Sequence, residues 1–168
     1  MCKIFFIFFE IGIPVAKQSL TGAWYNSITM KKEDCVFCKI IHGDIQISSK
    51  IYEDERVFAF LSNGPVSLGH TLVIPKDHFE NVYEASDESL AHLGISFKKI
   101  ATGIKKATNA DGINIITNND RAAGQAVFHL HFHVIPRFFN DGFKHWEHTR
   151  DYKQGELEEY VEKIRAAI

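Results

Sequence analysis

Three histidines, His129, His131 and His133, alternate with apolar residues in the stretch from Gly124 to Pro136. Successive side chains point to opposite faces of a β-strand, so the three imidazoles share one face and the apolar residues line the other. On a helix, residues two positions apart do not face the same side, and the imidazoles would be scattered. The alternation therefore predicts a β-strand with one apolar face and one imidazole face.

The spacing of this imidazole face limits the chemistry that its histidines can share. At ~3.3 Å per residue, neighbouring imidazoles start ~7 Å apart and the outer two ~13 Å apart. One metal ion can gather two of them but hardly all three, so we expect the histidines to divide their roles. Neutral imidazole is also a competent nucleophile toward phosphorus near pH 7. The alternative, a polar strand face with three partly solvated histidines, is disfavoured by the regular spacing.

The same stretch resembles the signature of the histidine triad (HIT) family of nucleotide hydrolases and transferases, Gly-Gln-x-Val-x-His-x-His-x-His. A second match, Gly-His-Thr-Leu-Val-Ile-Pro-Lys-Asp-His, runs from Gly69 to His78. The resemblance extends from Cys35 to Arg137. It implies a HIT-like α+β fold, with an antiparallel sheet of about five strands, one long helix and a C-terminal helix.

The pattern along the chain agrees with that fold class. Residues 51–61 indicate two short strands around an acidic turn, and residues 70–75 indicate a buried strand. Ser86 is a suitable N-cap for a long amphipathic helix that stops near Asn109. Residues 113–118 indicate a strand that leads into the histidine strand as a hairpin, and residues 155–168 indicate a short closing helix.

The resemblance implies a role for each histidine that does chemistry. His131 is the expected nucleophile, which attacks a nucleotide α-phosphate and forms a nucleotidyl-histidine that water then opens. His133 is expected to bind phosphate as a positively polarised neighbour and to help the leaving group. The implied nucleotide-binding residues are Phe37, Ile40, Phe60, Ser62, Asn118, Gly124, Gln125, Ala126, Val127, His131 and His133. For Phe37, Ile40 and Phe60, an ordinary place in the core is an equal alternative.

Two positions depart from the family pattern. Ser62 stands where members commonly carry an acidic or amide residue for the ribose hydroxyls, and it can make only one such hydrogen bond. Ala126 stands where many phosphoramidase members carry a hydroxyl beside the leaving group. Both changes bear on substrate preference, and neither changes the nucleophile.

Cys35 and Cys38 form a Cys-x-x-Cys pair, which indicates half of a metal site or a redox pair. The redox reading requires a thioredoxin-like βαβ context, which the sequence lacks, whereas a tetrahedral zinc site requires two more ligands. The resemblance implies His78 and His129 as those ligands of a structural zinc ion. The alternative is two reduced cysteines and a surface histidine. His70 is expected to orient neighbours near the active site.

Composition limits the remaining classes. The 168 residues carry a net charge of -2, which argues against a general surface for nucleic acid. Residues 1–29 are expected to be an extraneous or disordered extension, with Met30 as the working start and 30–168 as a single HIT domain. The apolar run at residues 4–9 is too short to span a bilayer, although a single anchor is an alternative. We expect a cytoplasmic protein, or a nuclear one in a eukaryote, without a membrane partner.

The resemblance leaves three functions to compare. The leading hypothesis is hydrolysis of a purine nucleoside 5'-phosphate conjugate, a phosphoramidate such as an AMP conjugate. The alternatives are cleavage of dinucleoside polyphosphates and a nucleotide-binding scaffold or sensor with incidental turnover. The resemblance also implies a homodimer that pairs through the long helix and an edge strand.

Overall fold

The computed structural model describes residues 32–143 and 150–168. The expected extension at 1–29 and the start at Met30 lie outside the described residues. The elements are α1 (Val36–Ile41), β1 (Lys50–Glu53), β2 (Val57–Leu61), β3 (Thr71–Pro75), α2 (Asp87–Thr108), β4 (Gly112–Ile116), a 3-10 turn (Arg121–Ala123), β5 (Phe132–Arg137) and α3 (Glu156–Ala167). In these two ranges, no helix has both the length and the apolar character that crossing a bilayer requires.

The five strands form one antiparallel sheet in the order β1-β2-β3-β5-β4. The expected α+β class, the sheet of five strands, the long helix and the C-terminal helix are all confirmed. Strand β5 pairs with β3 on one side and β4 on the other, so the end of the histidine stretch lies inside the sheet. Strands β1 and β4 are the two edges.

Each face of the sheet is covered by its own apolar cluster. Helix α2 covers one face, where Leu93, Ile100 and Ile104 pack with Leu130 and Val134. The short helix α1 covers the other face beside Phe58, Phe60 and Ile74. Leu130 and Val134 therefore lie on the α2 side, while the imidazoles of His129 and His131 face Phe37 of α1. The predicted division into an apolar face and an imidazole face is confirmed.

Helix α2 begins and ends as the sequence predicts. The Ser86 hydroxyl accepts a hydrogen bond from the backbone N–H of Ser89, which satisfies one of the free donors of the first turn. Asn109 ends the helix with φ of 54°, in the left-handed conformation that asparagine tolerates better than most residues. Both caps therefore lie where the sequence places the ends of the helix.

The prediction of one continuous histidine strand is wrong for its first half. Strand β5 begins at Phe132, and residues 125–131 lie in irregular structure. Pairing of β5 with β3 stops at Phe132 and Val73. The backbone N–H of Leu130 instead donates to the carbonyl of Phe79, which follows β3, at 2.6 Å. Strands β4 and β5 pair as the expected hairpin, and the connection between them is a long loop that contains the 3-10 turn.

Candidate active site and metal centre

His131 is held as a neutral imidazole with a free lone pair. Its Nδ1 lies 2.7 Å from the backbone carbonyl of His129, so Nδ1 carries the proton and donates. Burial lowers the pKa of His131 from its usual range, although the bond to that carbonyl opposes the shift. The hydroxyl of Thr117 donates to the His131 carbonyl at 2.9 Å and fixes its backbone. The unprotonated Nε2 is then available as a nucleophile at neutral pH.

His133 is set in the opposite tautomer by a chain of two hydrogen bonds. The backbone N–H of Val66 donates to Nδ1 of His70 at 3.1 Å, so a neutral His70 carries its proton on Nε2. That Nε2 lies 2.9 Å from Nδ1 of His133 and donates to it. Nε2 of neutral His133 must then carry a proton. His70 thus has the orienting position that the sequence predicts.

His133 is a neutral ring whose positively polarised group is its Nε2–H. Burial, followed by the neighbouring His131 and His70, lowers the pKa of His133 to about 4. The ring is therefore neutral at pH 7 before an anion arrives, and it offers an N–H donor instead of a cation. The rings of His131 and His133 stand 5.1 Å apart, close enough for one phosphoryl group to contact both.

The Gly-Gln turn is shaped by hydrogen bonds within its own loop. Gly124 has φ of 87°, a conformation that strains other residues, and its N–H donates to Arg121. The Gln125 side chain is buried, accepts from the N–H of Asp120, and donates to the carbonyls of Glu80 and Val127. Its own N–H donates to the carbonyl of Asp120. Gln125 and the Gly124 N–H therefore hold the loop in shape here, instead of pointing free donors outward.

Four of the expected nucleoside-binding residues come together in one apolar cluster. Phe37, Ile40, Phe60 and Val127 all pack in the cluster under α1. The Phe37 ring meets His131 edge-on at 5.4 Å and Phe60 at 5.7 Å, so the cluster borders the nucleophile. An apolar wall beside a reactive imidazole is the usual design of a site for an aromatic base.

The remaining polar candidates lie around the histidines. Asn118 is half-buried, and its Nδ2 lies 3.8 Å from the point that a Cβ at Gly124 would occupy. Ser62 is half-buried, and its N–H donates to the carbonyl of His70 at 2.9 Å. Ala126 is exposed on the turn before Val127. The departures at Ser62 and Ala126 thus lie beside the His70 and Gly124 segments of the site.

The side chains of two cysteines and two histidines, one of which is His129, converge on one point beside the candidate active site. Sγ of Cys35 and Cys38 and Nδ1 of His78 and His129 all lie within 4.8 Å of one another. The distances from Nδ1 of His129 are 3.4 Å to Cys35, 3.6 Å to Cys38 and 3.2 Å to His78, and Cys38 lies 3.4 Å from His78. Zinc bonds of about 2.3 Å to sulfur and 2.0 Å to nitrogen give tetrahedral edges of about 3.3–3.8 Å. The four atoms therefore fit the size of a tetrahedral zinc site.

The protonation states of these side chains also suit the binding of a cation. Nε2 of His129 lies 2.9 Å from the carbonyl of Pro75 and donates to it, so the lone pair of Nδ1 points into the cluster. Burial lowers the pKa of His129 to about 4, which keeps that lone pair free of a proton at pH 7. The backbone N–H of Lys32 lies 3.5 Å from the sulfur of Cys38 and can stabilise a thiolate. Nε2 of His78 is buried and lacks a partner among the described residues.

Several supports of the site could not be read from the sequence. The carbonyls of His129 and Pro75 fix the tautomers of His131 and His129, and a backbone carbonyl leaves no mark on residue type. From the sequence, Thr117 is an ordinary strand residue. Only the structure shows that its hydroxyl donates a hydrogen bond to the His131 carbonyl. Only His70, which stands in the Gly69–His78 motif, carried a usable signal.

Comparisons with known proteins agree with this geometry. The family model described as "HIT domain" matches residues 45–140. The chain is 49% identical over 135 residues to "Protein hit" of Bacillus subtilis, covering 79% of this chain and 92% of that protein. It is 45% identical over 103 residues to "Adenosine 5'-monophosphoramidase hnt1" of Schizosaccharomyces pombe, covering 61% and 74%. It is 42% identical over 106 residues to "Adenylylsulfatase HINT3" of Arabidopsis thaliana, covering 63% and 53%.

Solved structures give the same result. A HIT family protein from Bacillus subtilis superposes with a TM-score of 0.75 at 47% identity, over 81% of this chain and 98% of that one. A zinc-bound histidine triad family protein from Mycobacterium smegmatis superposes with a TM-score of 0.62 at 35% identity, over 80% and 98%. The family model, the fold and the three alternating histidines lead to one conclusion: this chain belongs to the histidine triad family.

Proposed function

We propose that this protein is a nucleotide hydrolase that cleaves a purine nucleoside 5'-phosphate conjugate, foremost a phosphoramidate, through a nucleotidyl-histidine at His131. The observation that carries the proposal is the tautomer of His131. Its Nδ1–H is bound to the His129 carbonyl, which leaves the Nε2 lone pair as the attacking atom. The relative named as an adenosine 5'-monophosphoramidase supports the same substrate class.

In the first step, Nε2 of His131 forms a bond to the α-phosphorus while the bond from phosphorus to the leaving nitrogen breaks. The leaving amine carries away the electron pair of that bond and takes a proton from solvent, while His131, bonded to phosphorus at Nε2 and protonated at Nδ1, becomes cationic. The Nε2–H of His133 faces the same phosphoryl group and supplies the donor for the phosphoryl oxygens or the leaving group. In the second step, water attacks phosphorus and releases a proton to solvent, the electron pair of the P–N bond returns to Nε2, and AMP leaves with His131 neutral again.

We further propose that Cys35, Cys38, His78 and His129 hold a structural zinc ion. Their donor atoms have tetrahedral spacing, and His129 is already oriented by Pro75. Zinc would link the N-terminal end of α1 to the segment just before His131. Because Phe37 of α1 lies against the His131 ring, this link would also hold the wall of the base pocket. No step of the reaction passes through the metal.

The protein is also proposed to form a homodimer through α2 and the edge strand β4. Among the described strands, β4 lies at an edge of the sheet and pairs with β5, which is a position where a strand of a second copy could extend the sheet. Ile115 on β4 and Ile95 on α2 are large apolar residues that lie exposed.

The test compares AMP release from an adenosine 5'-phosphoramidate and from a diadenosine polyphosphate, using the wild type, His131→Ala and the surface control His42→Ala. We expect phosphoramidate turnover that is lost in His131→Ala and kept in His42→Ala. Turnover of the polyphosphate alone would reassign the leaving group. Nucleotide binding without turnover of either compound would contradict the enzyme and support a scaffold or sensor.

A further inference from the structure

The side chains around the nucleophile form a series of contacts on the α1 face of the sheet. The Phe60 ring lies 5.7 Å from Phe37, and Phe37 lies 5.4 Å from the ring of His131. The rings of His131 and His133 stand 5.1 Å apart, and Nδ1 of His133 lies 2.9 Å from Nε2 of His70. The series therefore begins on β2, at Phe60, and ends just before β3, at His70.

Ser62 closes this series, because it lies between its two ends. The register of β2 and β3 pairs Leu61 with Thr71. The backbone N–H of Ser62 donates to the carbonyl of His70 at 2.9 Å, which continues the same register by one pair. Residues directly opposite each other in an antiparallel pair share one face of the sheet, and so do residues two apart along a strand. Ser62 therefore lies on the α1 face, opposite His70 and two residues beyond Phe60.

This position corresponds to the sugar of a nucleotide bound in the proposed reaction. Phe37 and Phe60 supply an apolar wall for the base, and the two histidines that contact the phosphoryl group are His131 and His133. The sugar joins the base to the phosphate, so it must lie between the wall and the histidines. Ser62 is ~7 Å from Phe60 along the strand, on the side that faces the His70–His133 pair.

Ser62 offers the sugar only a weak contact. The two oxygens of a carboxylate can accept from the 2'- and 3'-hydroxyls of ribose at once, whereas the single oxygen of a serine suits one of them. The six side chains of the closed series include no carboxylate. Ser62 is also half-buried, so water can reach its hydroxyl and can replace a hydroxyl that the sugar lacks. A sugar without its 2'-hydroxyl therefore leaves no buried polar group unpaired at Ser62.

We propose that Ser62 makes this protein tolerant of the sugar, so that 2'-deoxynucleoside 5'-phosphate conjugates are substrates nearly as good as the ribonucleoside conjugates. The loss of one neutral hydrogen bond at a wet position lowers affinity by about tenfold or less. A site built to bond a buried substrate hydroxyl rejects the analogue that lacks it by about 10⁴-fold. The inference rests on the proposed hydrolysis for turnover, but the preference for one sugar is also measurable as nucleotide binding.

The test compares ribose and 2'-deoxyribose in two measurements on the full chain. One is kcat/KM for the 5'-phosphoramidates of adenosine and 2'-deoxyadenosine, and the other is Kd for AMP and 2'-deoxy-AMP by calorimetry. We expect the wild type to prefer the ribose form by less than about tenfold in both. Ser62→Asp should raise that preference by about tenfold or more, because its carboxylate accepts from both hydroxyls. Ser62→Ala should bring it close to one, and Asn63→Ala, at the exposed next position, should leave it as in the wild type.

A wild-type preference for ribose above about tenfold would overturn the proposal, since another group would then bind the 2'-hydroxyl. An unchanged preference in folded Ser62→Asp would overturn it too, because Ser62 would not face the sugar. If Ser62→Asp does not fold, the uncharged Ser62→Asn takes its place. Failure of the proposed hydrolysis is a separate result: neither phosphoramidate would turn over, and the two Kd values would still decide the sugar preference. Absence of AMP binding would overturn both proposals.

Discussion

His70 donates from Nε2 to Nδ1 of His133 across 2.9 Å, and the two rings stand 5.1 Å apart. His70 receives its own hydrogen bond from the backbone of Val66, so the proton positions on both rings are fixed by one loop. The proton that matters is on Nε2 of His133, beside the nucleophile. The donor at the reacting phosphate is thus set by a histidine just before β3, the strand that pairs with β5.

Replacing His70 should therefore slow turnover without removing the nucleophile. In His70→Ala, Nδ1 of His133 loses its donor and the ring can turn or change tautomer, and we expect kcat to fall about 100-fold. His70→Gln keeps an N–H donor and should recover part of that loss. The measurement is kcat and KM for phosphoramidate hydrolysis, with the surface variant His42→Ala as the control. An unchanged kcat in His70→Ala would show that the His133 tautomer does not depend on this contact.

Removing the proposed zinc should lower the stability of the whole fold. A ligand that binds only the folded state stabilises it by about 4 kcal/mol at a free concentration of 1,000 times Kd. We therefore expect one zinc per chain by elemental analysis, and a lower Tm after a chelator or in Cys38→Ser. Ser67→Ala, at a half-buried position outside the cluster, is the control: it removes a hydrogen bond from the hydroxyl to the Pro136 carbonyl, so its own Tm can fall, but the chelator should lower that Tm by as much as in the wild type. A Tm unaffected by the chelator, with no bound metal, would identify the four residues as a metal-free cluster.

The sequence predicted most of this arrangement because side-chain type and spacing encode faces and caps. Ser86, Asn109 and the alternation around Leu130 were sufficient to place α2 and the two faces of the histidine segment. The break of strand β5 before Phe132 was not predictable in the same way. There the N–H of Leu130 bonds to Phe79, and the ring of His129 bonds to Pro75. These tertiary hydrogen bonds replace the strand-to-strand hydrogen bonds that local periodicity alone predicts.

Nothing in the sequence indicates that the apolar face of α3 lies exposed, either. The stripe from Leu157 to Ile164 predicts a helix that covers a surface, but periodicity does not say which surface. The helix is present with the expected bounds, and its apolar face is exposed.

A side chain at Gly69 should damage both the fold and the orientation of His70. Gly69 has φ of 94°, and an added Cβ would lie 2.7 Å from Cγ2 of Thr108 and 3.2 Å from Cγ of Pro136. We expect Gly69→Ala to lower the free energy of unfolding by about 2–4 kcal/mol, from left-handed strain and overpacking together. Gly103→Ala is the matched control, because its Cβ meets nothing within 4 Å and alanine favours the helix by about 0.5–1 kcal/mol. Equal stabilities of the two variants in urea unfolding would contradict this account.

Asp54 should make stability fall in a defined acidic range. Burial alone would raise the pKa of this carboxyl, but hydrogen bonds from Tyr52, the backbone of Arg56 and His92 outweigh burial and lower the pKa to about 2. The pKa of an unfolded aspartate is about 3.9, so the folded protein binds this proton less readily. The contribution of about 2 kcal/mol is therefore present above pH 4 and is lost as pH falls from about 4 to 2.

The variant Asp54→Asn isolates this effect, because all other titrating groups are shared with the wild type. We expect the variant to be less stable by about 1–2 kcal/mol at pH 7, and the difference to vanish near pH 2. Tyr52→Phe removes one donor and should show a smaller difference over the same range, while the exposed control Asp151→Asn should show none. Urea unfolding at several pH values measures each difference. A gap between wild type and Asp54→Asn that stays constant from pH 7 to pH 2 would mean that the carboxylate charge adds nothing, and that the hydrogen bonds to Tyr52 and His92 act through geometry alone.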